Sequence, residues 1–216
     1  MRTATRLLIH AALCCALAAG AAHAQSAEEH YDKALARAER GDFAAAIREM
    51  DKAVARRADF PEAFHARAFF KLSSNDPDGA LADINRAIEL KPGLKPAYQM
   101  RALLRIRKGD LDGAIADFDR SIVEGWKLYE SHLGRGNVRH LKGDLDGAVA
   151  DLTRAVGLNP RDATAHYSRG QILLDLGREK EARKDFARCL ELDPSMKPLV
   201  DSTLAGHRRK HESKQL

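Results

Sequence analysis

The sequence predicts an all-α protein, an α-solenoid of five helix hairpins in series with a C-terminal capping helix. Three observations carry this. The chain aligns with itself at a fixed step of 34 residues, and an internal period of that length marks stacked repeats. Ala, Leu, Asp and Arg are abundant while only 6% of the 216 residues are aromatic, a balance that favours helices over strands. Breakers recur in two columns per repeat, so each repeat holds two short segments, each the length of a helix.

Taken in order, the first segment reads as a leader. Arg2 and Arg6 precede an uncharged run from Leu7 to Ala22, and Ala22-His23-Ala24 has the small-x-small form of a signal-peptidase site. Residues 1–24 are therefore expected to be a secretory signal peptide. The run is short for a bilayer and contains His10 and Gly20, which argues against an anchor and against stable membrane insertion after cleavage. Ala12-Leu13 ahead of Cys14 and Cys15 does not suit a lipoprotein start. Cleavage removes both cysteines and leaves Cys189 alone, so the mature chain has no internal disulfide, compatible with an oxidising compartment.

The repeat domain is expected over 25–207, with units 27–60, 61–94, 95–128, 129–162 and 163–196. Ala46, Ala80, Ala114, Ala148 and Ala182 form one column. Met50, Ile84, Phe118, Leu152 and Phe186 form the next, followed by the small residues Ala53, Ala87, Ser121, Ala155 and Cys189. Gly41, Asn75, Gly109, Gly143 and Gly177 break the middle of each unit. Ala58, Pro92, Trp126, Pro160 and Pro194 mark its end. In the second unit, Glu62 to Ser74 has helical composition and stops at Asn75-Asp76-Pro77. Pro77 suits the first turn of the next helix, where its missing N–H is not needed. That helix presents Ala80, Ile84, Ala87 and Ile88 on one face and stops at Lys91-Pro92-Gly93. Beyond the fifth unit, Met196, Leu199, Val200 and Leu204 predict a capping helix over 196–207. Residues 208–216 are read as a basic disordered tail. The tail, with Arg208, Arg209, Lys210 and Lys214 against Glu212, and the leader hold the whole net charge of +5. The repeat body carries 30 basic and 30 acidic residues, which weighs against a nucleic-acid partner.

The column pattern of aromatic, small, Ala, large apolar, small and Pro resembles the tetratricopeptide repeat (TPR) family across residues 27–196. The resemblance implies antiparallel hairpins stacked into a right-handed superhelix with a concave binding face. It agrees with the physics of such arrays, in which a lone hairpin cannot bury its apolar face and neighbours must cover it.

The chain departs from the family pattern in its charges. Lys33, Arg67, Arg101, Arg135 and Arg169 stand where an apolar residue is common, and sixteen residues on come Glu49, Asp83, Asp117, Asp151 and Asp185. An ion pair within each hairpin is expected. A second basic column, Lys52, Arg86, Arg120, Arg154 and Arg188, is read as a solvated outer face. His30, His132 and His166 share a column with Phe64 and Tyr98, so they are read as packing rings, and Cys189 as a buried small residue. Trp126 is read as packing within an irregular third junction.

The family resemblance places the partner-binding groove on the first helices of the hairpins. Carried over column by column, it comprises Tyr31, Leu35, His65, Phe69, Leu72, Gln99, Leu103, Ile106, Asn137, His140, Tyr167, Gln171 and Leu174. The early units supply apolar anchors and the later ones hydrogen-bonding groups, which fits an elongated peptide or an amphipathic helix. No phosphate loop, paired-cysteine motif or nucleophile elbow is present. The expectation is a non-enzymatic adaptor or scaffold without cofactor or metal, binding a protein or peptide segment. The alternative is an assembly subunit of an envelope complex that uses its convex face or self-association. The leader points to export, to the periplasm of a Gram-negative bacterium or beyond it.

Overall fold

The computed structural model describes residues 26–212. The expected signal peptide lies outside the described residues. All regular structure among them is helical. The helices are α1 (26–38), α2 (Phe43–Arg56), α3 (Pro61–Ser73), α4 (Pro77–Leu90) and α5 (Lys95–Arg107). There follow α6 (Leu111–Val123), α7 (Leu128–Leu141), α8 (Leu145–Leu158), α9 (Ala163–Asp175) and α10 (Glu179–Leu192). A 3-10 turn over Pro194–Met196 leads into α11 (Lys197–Glu212). These bounds reproduce the five expected hairpins. None of the described helices is long and apolar enough to cross a membrane.

The breaker columns act through the backbone. Gly41, Asn75, Gly109, Gly143 and Gly177 all have positive φ, between 61° and 83°. That left-handed conformation ends the first helix of each hairpin and suits Gly or Asn. One residue later, Asp42, Asp76, Asp110 and Asp144 accept hydrogen bonds from the backbone N–H groups of Ala45, Gly79, Gly113 and Gly147. Each cap satisfies an otherwise orphaned donor at the start of the second helix. The fifth hairpin has Arg178 at this place and no side-chain cap.

The described residues form two compact units divided between Ala97 and Tyr98, in the first turn of α5. In the first, α2 packs on α3 and α3 on α4. Ala34, Ala46, Met50, Ala63 and Phe70 share its core. In the second, α6 to α10 pack in sequence and α11 packs on α9. Phe118, Val138, Leu152, Ile172, Phe186 and Val200 fill successive core clusters there. The column Ala46, Ala80, Ala114, Ala148 and Ala182 is fully buried, so helix axes approach closely along it. Gly134 on α7 marks one close approach to α6, since a Cβ there would lie 2.5 Å from the Phe118 ring.

The capping helix is longer than expected. It runs on through Glu212, so residues 208–212 are helix and not disordered tail. At the third junction, Trp126 is partly buried and Lys127 is left-handed with φ +40°.

Candidate functional site

The expected groove residues fall into three states. In the first unit, Tyr31 lies on α1 with its ring 5.1 Å from that of Phe60, and burial raises the pKa of its hydroxyl. Leu35 is exposed on the same helix. On α3, Phe69 is 49% exposed and Leu72 half buried. His65 is half buried, and burial lowers its pKa, which favours the neutral ring, with Glu62 partly opposing. In the second unit, Leu103 on α5 is 52% exposed. Gln99 is half buried, and Ile106 packs against the core around Phe118. Asn137 on α7 is exposed, and its neighbour His140 holds Asp175 of α9 at 2.9 Å.

The α9 positions are covered. Leu174 is only 3% exposed and belongs to the core cluster of Val200, with Leu204 packed on it. What little of it is exposed borders the hollow between α9 and α11. The Tyr167 hydroxyl lies 2.8 Å from that of Thr203 on α11. Gln171 borders a cavity of about 190 Å³ shared with Ser202, Thr203 and His207 of α11. The physical reason is the cap, because α11 lays its apolar side on the first helix of the last hairpin.

Beneath these faces lies a ladder of buried charge. Asp83, Asp117, Asp151 and Asp185 are each at most 5% exposed. Arg67 grips Asp83 through two nitrogens at 2.8 and 2.6 Å, and Arg135 and Arg169 hold Asp151 and Asp185 in the same bidentate way. Arg101 reaches Asp117 at 2.7 Å. The expected pairs thus form in hairpins two to five, and they are buried. The first hairpin differs, for Glu49 lies 2.6 Å from both His30 and Lys52, and the expected pair with Lys33 is not what holds it.

A further cation column and a histidine column converge on these acids, neither expected from the sequence. Lys71, Arg105 and Arg139, twelve residues before the acids, reach Asp83, Asp117 and Asp151 at 2.7 to 2.8 Å. His132 and His166, nineteen before, lie 2.9 and 3.1 Å from Asp151 and Asp185. The histidines are therefore polar partners as well as packing rings. Arg67 and Arg135 also bond Asp51 and Asp119 of the preceding hairpin, stitching one repeat to the next. The constant spacings of twelve and sixteen were the available signal. Burial raises the Asp151 pKa, but hydrogen bonds from Arg135 and His132 and the charges of Arg135 and Arg139 outweigh it, so the net shift is downward. These groups compensate one another's charge within the hairpins.

The second basic column lies outside, with Lys52, Arg86, Arg120 and Arg188 close to half exposed and tied to acids three or four residues away in the chain. Cys189 is fully buried in the small column, and burial pushes its thiol pKa up. No metal-binding cluster of His, Cys, Asp and Glu occurs among the described residues.

The paired helices, the left-handed breakers and the buried alanine column recur with one period. Residues 31–94 and 133–197 match the tetratricopeptide repeat profile. The chain belongs to the tetratricopeptide repeat family. No curated protein matches it by sequence. Among solved structures it is similar to MamA, at 20% identity and a TM-score of 0.70 over 75% of this chain and 95% of that one. MamA from Desulfovibrio magneticus RS-1 aligns at 16% identity and a TM-score of 0.74, over 79% of this chain and 96% of that one. YrrB aligns at 24% identity and 0.65, over 76% and 84%. At such identities the likeness is one of fold. TPR arrays are, in general, protein-interaction scaffolds.

Proposed function

We propose that the chain is an exported, non-enzymatic adaptor that binds an elongated peptide or amphipathic helix of another protein along the first helices of its hairpins. The carrying observation is that Leu35, Phe69 and Leu103, one column of the repeat, are 37%, 49% and 52% exposed in a chain that buries most of its large apolar side chains. Exposed apolar residues at one place of the repeat, as Leu35 and Phe69 are within the first compact unit, suit the anchors of a bound segment. YrrB, described as a TPR protein with an unusual peptide-binding site, lends support by showing that such arrays bind peptides. The accessible anchors lie on α1, α3 and α5, with Asn137 on α7 adding a polar contact. The Arg2, Arg6 and Ala22-His23-Ala24 leader pattern supports action in the bacterial envelope, with the periplasm as the compartment.

Photo-reactive residues at Phe69 and Leu103, with Arg120 as an outside control, test this in the native envelope. Capture of one partner from the first two positions only is the expected result. Capture mainly from Arg120, or of the chain by itself, would replace the adaptor with an assembly subunit.

A further inference from the structure

The first hairpin carries the cations of the buried ladder without the acid that neutralises them elsewhere. Lys33 and Arg37 stand in the columns of Arg67 and Lys71, of Arg101 and Arg105, and of Arg135 and Arg139. In each of those three pairs both cations converge on one buried aspartate. In the first hairpin the acid is Glu49, one methylene longer, and its two oxygens are taken by His30 and Lys52 at 2.6 Å.

Length is the deciding variable. The fourth hairpin also has no acid one turn beyond its Arg154, with Gly157 at that place and Ala55 in the first. Yet Asp151 stays with Arg135, Arg139 and His132. A glutamate reaches the next turn of its own helix, and the aspartate does not. Lys33 and Arg37 on α1 and Arg40 in the turn that follows it are left exposed around a hollow of about 240 Å³ that they line with Ala36 and Glu49. Glu39 and Asp42 are near in sequence, but Asp42 is committed to capping α2 through the Ala45 N–H.

We infer that this hollow is an anion site for a soluble small molecule bearing a diphosphate group. Two guanidinium forks and an ammonium match the acceptors of two linked phosphates, and Arg binds such groups bidentately. The hollow is large enough for two phosphates and is open to solvent on one side. Glu49, paired with Lys52 and hydrogen-bonded to His30, offers reduced repulsion. The site is separate from the first-helix face that carries Leu35, because Lys33 and Arg37 occupy other columns of the repeat.

The test is a titration of the isotope-labelled full chain with inorganic pyrophosphate at constant ionic strength, followed by NMR. Expected are saturable shifts at Lys33, Arg37 and Arg40, with the neutralised clusters at Asp117 and Asp151 unmoved. Arg37→Ala combined with Arg40→Ala, both exposed, should weaken binding about tenfold or more while the melting curve stays in place. Glu49→Asp should also weaken it several-fold, because the shorter acid returns to Lys33 and Arg37. The assignment is overturned if pyrophosphate produces no shifts on α1, or if the double variant binds as tightly as the parent. Equal affinity in Glu49→Asp overturns it too, since the site then does not depend on that carboxylate's retreat.

Discussion

The helices α3 and α9 carry the same columns of the repeat and end in opposite states. On α3, Phe69 stands half exposed beside the half-buried Leu72. On α9, Gln171 sits at a cavity edge under α11, Leu174 is buried, and Tyr167 is hydrogen-bonded to Thr203. Nothing in α9 itself causes this. The difference lies in the helix at the end of the array, for α11 has no hairpin of its own and buries its apolar side on the last first-helix face. A position in the repeat therefore does not determine exposure.

The interior should matter more than either face. Arg135→Met leaves Asp151 with Arg139 and His132 but without its bidentate arginine, and breaking such a buried pair typically destabilises by about 3–5 kcal/mol. Chemical denaturation would measure it, and a loss comparable to that of an exposed pair would show that the ladder is not a structural element. Next in size is the cap. Val200→Asp places a carboxylate at a 2% exposed site against α9 and should lower stability by about 2–4 kcal/mol. Faster amide exchange in α9 and α11, with α7 unchanged, would confirm that α11 alone closes that face. Tyr167→Phe removes one contact of the cap, with an expected loss of about 0.5–1.5 kcal/mol in the same denaturation assay.

On the open side the sign of the comparison reverses. Phe69→Ala with Leu103→Ala should change stability by no more than about 1 kcal/mol, yet weaken partner binding strongly. Unchanged affinity for the captured partner would move the binding surface elsewhere.

The smallest effect concerns acid. Hydrogen bonds from Lys52 and His30 lower the Glu49 pKa from 4.5 to about 2. Its contribution is therefore present above pH 4.5 and is lost as the pH falls toward 2. Glu49→Gln should flatten the stability profile in that window only slightly, because the group is partly solvated. Asp151, also lowered, adds to the acid sensitivity below its ordinary value of 3.8.

Much of the fold was legible in the sequence. The helix bounds of α3 and α4 follow from Asn75-Asp76-Pro77 and Lys91-Pro92-Gly93, since backbone conformation is a local property. The pairing of Arg67, Arg101, Arg135 and Arg169 with their aspartates follows from a constant spacing. The exchange at Glu49 was not legible, because it turns on one methylene and on which of several nearby cations a carboxylate reaches. Nor was the extent of α11, since the basic composition of 208–212 suggests a solvated tail while the helix simply continues. The covering of Leu174 was missed for a related reason. The column rule describes an internal repeat, and the last repeat has a different neighbour.

By itself, then, the sequence determined the period, the hairpins, the buried alanine column and the sign of every charge column. These rest on short-range backbone preferences and on a pattern repeated five times, which makes each element's partner the next one along. Tertiary structure decided which faces remain open, which cations are neutralised and where the array is closed. Those outcomes depend on side-chain reach across helices and on the asymmetry of the chain's ends, and a periodic sequence does not encode its own boundary conditions.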